Sequence, residues 1–136
     1  MGKKKYVAYV GTYTHGTSKG IQVYDVNVED GTLTERSEVQ VSNASYTAVS
    51  KNGKFLYSIE DEGVAVFQRD ENGDLTRINS VDIDGMRGCF LATDVDGRYL
   101  YVAGYIPIRM EALAVLWMGF SIQALAVLRS VISGRM

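Results

Sequence analysis

The sequence predicts an all-β chain of repeated antiparallel strands, followed by a hydrophobic tail foreign to that pattern. Three observations predict it. Residues 46–57 match residues 90–101 at an offset of 44, with a Gly turn at the same place in each copy. Apolar residues in these segments alternate at period two rather than at helical spacing. The composition breaks after Tyr105: all nine Tyr lie before that point, whereas three of the five Met and the only Trp lie after it.

The elements follow in chain order. Tyr6-Val7-Ala8-Tyr9-Val10-Gly11-Thr12-Tyr13 reads as a first strand. Its apolar run is too short and too Tyr-rich for a signal-peptide core. Tyr6 stands where a myristoylation signal wants Ser or Thr, so neither export nor a lipid anchor is expected at this end. Gly20-Ile21-Gln22-Val23-Tyr24 matches Gly63-Val64-Ala65-Val66-Phe67. Glu29-Asp30-Gly31-Thr32-Leu33-Thr34 echoes Glu71-Asn72-Gly73-Asp74-Leu75-Thr76, and Val39-Gln40-Val41 and Val81-Asp82-Ile83 close the units. Asn52-Gly53 and Asp96-Gly97 read as hairpin turns, because Gly accepts positive φ at little cost. Each unit therefore holds about four strands in ~40–45 residues, the size of a β-propeller blade. Val64 and Val66 fall on one face and Ala65 and Phe67 on the other, as expected for a blade buried between two neighbours.

Composition excludes several function classes. A net charge of −2 gives no footprint for nucleic acid. A single cysteine, Cys89, leaves no internal disulfide and suits a reducing cytosol. No phosphate-cradling Gly loop opens a helix, and no paired Cys or His ligands occur, so neither cofactor nor metal is expected.

The opening Tyr9-Val10-Gly11-Thr12-Tyr13-Thr14 with Gly20-Ile21-Gln22-Val23-Tyr24 resembles the N-terminus of the lactonase family of seven-bladed propellers, the 6-phosphogluconolactonase-like group. Ala48-Val49-Ser50-Lys51-Asn52-Gly53-Lys54-Phe55-Leu56-Tyr57 is similar to its second blade. Gly88-Cys89-Phe90-Leu91-Ala92-Thr93-Asp94 and the strand from Gly97 to Tyr105 resemble its third. The family more often carries Pro-Cys-His where this chain has Gly88-Cys89-Phe90, and Asn-Tyr where it has Gly104-Tyr105. The resemblance covers residues 5–105, about two blades and the start of a third. It implies cytoplasmic hydrolysis of a sugar-acid lactone such as 6-phosphogluconolactone, with a small sugar lactone as the partner.

The tail, residues 106–136, carries three Arg and one Glu and no Tyr, Lys or Asp. Residues 112–128 hold no charge, and their Ala and Leu predict a helix. That run sits at the lower edge of a membrane span, so a small β protein tethered by residues 112–128 stays open as an alternative. A non-catalytic propeller module that binds a partner is a second alternative, lowered by the lack of Trp-Asp and Gly-His repeat signatures. A third reading is preferred. Back-translation of Phe120 to Met136, read one base earlier, permits VFHTGLGSVAERNFRPH. The family carries a very similar run, ending in Arg-Pro-His, in its next blade. The tail is then an out-of-frame translation. The chain alone is expected to be inactive, and its open blade edges to favour self-association.

No residue can be assigned as catalytic. The candidate pocket residues are Tyr13, His15, Glu60 and Arg87. His15 reads as a solvated loop residue, with sugar contact as the sharper alternative. Glu60, in the acidic turn Glu60-Asp61-Glu62, is either an exposed turn residue or a general base facing the channel. Arg87 is either a surface residue or a phosphate or carboxylate anchor. Cys89 reads as a small buried strand residue, and Asp94-Val95-Asp96-Gly97 as a hairpin turn rather than a calcium loop. Tyr13, Tyr57 and Tyr101 are also expected to pack between blades. Asn43-Ala44-Ser45 is a glycosylation triplet, without consequence in the absence of export.

Overall fold

A computed structural model describes residues 5–83, 87–106, 110–117 and 124–129. All regular structure among them is β. Strands β1 (Tyr6–Gly11), β2 (Gly20–Val26) and β3 (Leu33–Gln40) form the first sheet, in that order. Strands β4 (Thr47–Val49), β5 (Phe55–Glu60), β6 (Gly63–Arg69) and β7 (Leu75–Asp82) form the second. Strands β8 (Arg87–Thr93), β9 (Tyr99–Ile106), β10 (Met110–Trp117) and β11 (Ala124–Arg129) form the third. Every pairing is antiparallel between neighbours in sequence. The three sheets are three successive blades.

The repeat seen in the sequence is a structural repeat. Tyr57 pairs with Val66 as Tyr9 pairs with Val23, so β1 occupies the place of β5. The first sheet thus has three strands rather than the expected four. The two matched Gly turns are also equivalent. Gly53 (φ 74°) and Gly97 (φ 67°) lie in the left-handed region where only Gly is unstrained. Gly53 N–H donates to the Ser50 carbonyl at 2.8 Å, and Gly97 N–H to the Asp94 carbonyl at 3.2 Å.

Two apolar cores lie between the blades. Ile21 and Val23 of the first sheet meet Leu56, Ala65 and Phe67 of the second. On the opposite face Tyr57, Ile59, Val64 and Val66 meet Leu91, Leu100 and Val102 of the third. Strands β5 and β6 are therefore buried on both faces, which explains the weak alternation of their sequence. Each fully buried side chain of this size contributes about 1.5–3 kcal/mol against leaving it exposed.

Polar clasps lock the first seam. Tyr9 Oη donates to the Gly73 carbonyl and accepts from Arg69 Nε at 2.9 Å, with the guanidinium carbon 5.3 Å from the ring centroid. Arg36 Nη1 bonds Asp25 Oδ1 at 2.9 Å and the Asn72 carbonyl at 3.0 Å, while its Nη2 lies 3.0 Å from Asp74 Oδ1. The partners of Arg36 are exposed, so this clasp sets register more than stability.

The tail departs from expectation. Residues 110–117 and 124–129 are strands, not helix. The physical reason is the edge of β9. Its unpaired backbone groups are satisfied by a ladder from Met110 opposite Ile106 to Trp117 opposite Tyr99. Helix propensity is a weak preference that such pairing overrides. No helix among the described residues is long and apolar enough to cross a membrane.

The β8–β9 turn is held by one carboxylate. Asp94 Oδ1 accepts from Arg98 N–H at 2.7 Å and Tyr99 N–H at 2.8 Å. Chiefly the Tyr99 N–H, and then the N–H and charge of Arg98, hold the Asp94 carboxyl below its ordinary value of 3.8. A lowered carboxyl stabilises the turn fully above that ordinary value and loses the effect as pH falls through the lowered one. In an NMR pH titration the Arg98 and Tyr99 amides should therefore shift with a midpoint below 3.8. A midpoint at or above it contradicts this hydrogen-bonded turn.

Candidate functional site

One rim of the blades carries a cavity of about 330 Å³ built from three different sheets. The β1–β2 connection contributes Tyr13, and the β3–β4 connection Asn43. Glu60 and Asp61 come from the β5–β6 turn, and Arg87 and Cys89 from the start of β8. Gly88 makes the close approach possible: a Cβ there would fall 2.4 Å from Ile59 Cδ1. A side chain at this position would require the Ile59 side chain to shift and would crowd Val102.

Three of the four candidates read from the sequence, Tyr13, Glu60 and Arg87, line this one cavity. The fourth, His15, stacks on the Tyr13 ring with centroids 5.9 Å apart and 14° between planes. Tyr13 is 63% exposed, so it is not the inter-blade packing residue expected of it. It sits past the end of β1, where no neighbouring sheet covers it. Tyr57 does pack between blades, and Tyr101 is half-buried.

Glu60 is neither a free turn carboxylate nor an unencumbered base. Its two oxygens accept from Arg77 Nη2 at 3.0 and 2.8 Å, and Ser80 Oγ donates to Oε1. The carboxylate is thereby fixed in place as an acceptor. Arg87 is exposed, and its guanidinium has no partner among the described residues. The cavity is thus lined by both a cation without a partner among the described residues and a committed carboxylate, a pair of groups that suits an anionic ligand carrying hydroxyl donors.

Cys89 is exposed, contrary to its reading as a buried residue. The register shift between Gly88 and Phe90 leaves it out of the β8–β9 ladder and turns it outward. Among the described residues, no group of three His, Cys, Asp or Glu is placed to hold a metal.

The residue that sequence reasoning missed is Asn43. It is the one non-glycine with positive φ, 47°, among the described residues. Its Oδ1 accepts from Thr14 N–H at 2.8 Å and Thr14 Oγ1 at 3.2 Å. Its Nδ2 donates to Asp61 Oδ1 at 2.8 Å, and its own N–H to Thr14 Oγ1 at 3.2 Å. One side chain thus joins the loop carrying Tyr13 to the turn carrying Glu60. The sequence signal was confined to Asn itself, a residue that tolerates the left-handed region; its partners lie 29 and 18 positions away.

Three successive blades with a cavity at the loop-bearing rim define part of a β-propeller. Residues 7–118 match the family described as lactonase, 7-bladed beta-propeller, and the chain belongs to that family. It is 39% identical over 107 residues to the 6-phosphogluconolactonase of Bacillus subtilis, a match spanning 74% of this chain and 31% of that protein. The solved periplasmic gluconolactonase of Pseudomonas aeruginosa superposes with a TM-score of 0.82 at 28% identity, covering 92% of this chain and 39% of that one. A Bacteroides fragilis structure, named as a candidate 6-phosphogluconolactonase, gives a TM-score of 0.82 at 30% identity, covering 94% of this chain and 37% of that one. The chain therefore spans about a third of the length of these relatives.

Replacement of Asn43 separates its two roles. Asn43→Gly keeps the backbone conformation and loses the side-chain bonds; Asn43→Ala loses both. Urea unfolding should rank Ala below Gly by about 1 kcal/mol, the cost of a left-handed Ala. Equal midpoints would show that the positive φ carries no weight.

Proposed function

We propose that this chain carries the first blades of a sugar-acid lactone hydrolase, with 6-phosphogluconolactone as the substrate class. The observation that carries the reading is the rim cavity, lined both by Arg87, which has no partner among the described residues, and by the anchored Glu60 carboxylate. The name of the Bacillus subtilis relative supports the substrate class. In this reading Arg87 anchors the phosphate or the carboxyl edge of the substrate. Glu60 accepts from a sugar hydroxyl, and Tyr13, backed by His15, presents a ring face to the sugar. Lactone opening also needs a water activated by a base and donors for the developing oxyanion. No residue of this chain is assigned to either task.

The chain by itself does not turn over. Residues 106–136 are read as an out-of-frame translation, although the family match and strand β10 run into the first part of that stretch, and the Arg-Pro-His run available in the shifted frame does not occur in residues 1–136. The uncovered blade edges then favour association between copies. The single Cys89 accords with a reducing compartment such as the cytoplasm.

Two measurements test this reading. The purified chain should open 6-phosphogluconolactone no faster than the spontaneous rate. Its coding DNA, read one base earlier from the codon boundary before Phe120, should spell VFHTGLGSVAERNFRPH. Turnover above background, or a shifted frame that spells anything unrelated, contradicts the respective half of the proposal.

A further inference from the structure

A second cavity, of about 270 Å³, lies on the opposite rim between the β4–β5 and β8–β9 turns. Lys51, Asn52, Phe55, Tyr57 and Asp96 are among its lining residues. Tyr57 is the informative one. The residue is 4% exposed, and among the described residues no hydrogen bond occupies its hydroxyl, which is not one of the fully buried polar atoms lacking a partner. Its structural counterpart one blade earlier, Tyr9, has both a donor and an acceptor on its hydroxyl. The Tyr57 hydroxyl is therefore the solvent-reached tip of an otherwise buried side chain and a donor open to a ligand.

Two further donors stand beside it. Asn52 Oδ1 is occupied by Ser50 Oγ at 2.7 Å and Lys54 N–H at 3.0 Å, which leaves its Nδ2 for a ligand. Lys51 is exposed, with no carboxylate partner among the described residues. The one acid in the lining, Asp96, is met by Arg98 Nη2 at 3.2 Å. Burial raises the Tyr57 pKa, so its phenol stays protonated and able to donate at neutral pH.

We propose that this cavity is an accessory binding site for a small oxyanion, carboxylate or phosphate, held by the Tyr57 hydroxyl, the Lys51 ammonium and the Asn52 amide. Phe55 gives the site an apolar side that admits a short organic acid as well as the bare ion. The site shares no lining residue with the candidate lactone cavity, so its occupancy is independent of the function proposed above.

The test is an NMR titration of the isotope-labelled chain with inorganic phosphate, and in a parallel arm with acetate, at constant ionic strength. Saturable shifts are expected at Asn52, Gly53, Asp96 and Gly97, with Asp61 and Cys89 unmoved. Lys51→Ala and Tyr57→Phe should each weaken binding about tenfold, the loss of one charge-assisted contact. Saturation by acetate alone or by phosphate alone assigns the ligand to one oxyanion class and upholds the site. Linear shifts at every lysine, or affinity unchanged in Tyr57→Phe, overturn it. Tyr57→Phe should also leave the free chain as stable as before or more so. A marked drop in its urea midpoint would reveal an internal partner for the hydroxyl and likewise overturn the site.

Discussion

The constraint on which the rest depends is the double burial of the middle blade. Leu56, Ala65 and Phe67 face one neighbour, while Tyr57, Ile59, Val64 and Val66 face the other. Neither face can be left to water without exposing a contiguous apolar surface, so the flanking sheets are required for the middle one to fold. Buried strands with no polar face carry little register information of their own. Register is supplied from the edges, by the Gly turns and by the Arg36 and Arg69 clasps at the first seam.

The cavities gather at the seams for the same reason. Stacked blades bring together loops that lie far apart in sequence, and their rims are the places where polar groups from different blades can converge without a burial cost. The rim with Tyr13, Glu60 and Arg87 draws on all three sheets among the described residues, and Asn43 ties two of its walls together. On the opposite rim two equivalent hairpin turns frame a smaller cavity beside Tyr57. The same repeat thus yields two chemically different mouths, because connecting segments diverge while strands are held by packing.

What could be read from the sequence was whatever repeats locally. The 44-residue offset, the paired glycines and the apolar triplets at Ile21 and Val64 located strands, turns and cores without reference to distant partners. Longer-range features were hidden. The pairing of Glu60 with Arg77 spans 17 positions, and the bulge that exposes Cys89 depends on how β8 meets β9. Asn43 looked like a surface triplet because nothing beside it in the chain shows that Thr14 and Asp61 converge on it. The Ala- and Leu-rich tail misled for the opposite reason: its local preference is clear, but the open edge of β9 decides its backbone.

Amide hydrogen exchange of the native chain tests the shared middle blade most directly. Backbone amides from Leu56 to Ile59 and from Val64 to Phe67 should exchange most slowly, opening only with global unfolding, while those of the solvent-facing outer strands β3 and β7 exchange sooner. Equal protection across all strands, or fastest exchange in β5 and β6, would contradict a structure organised around that blade.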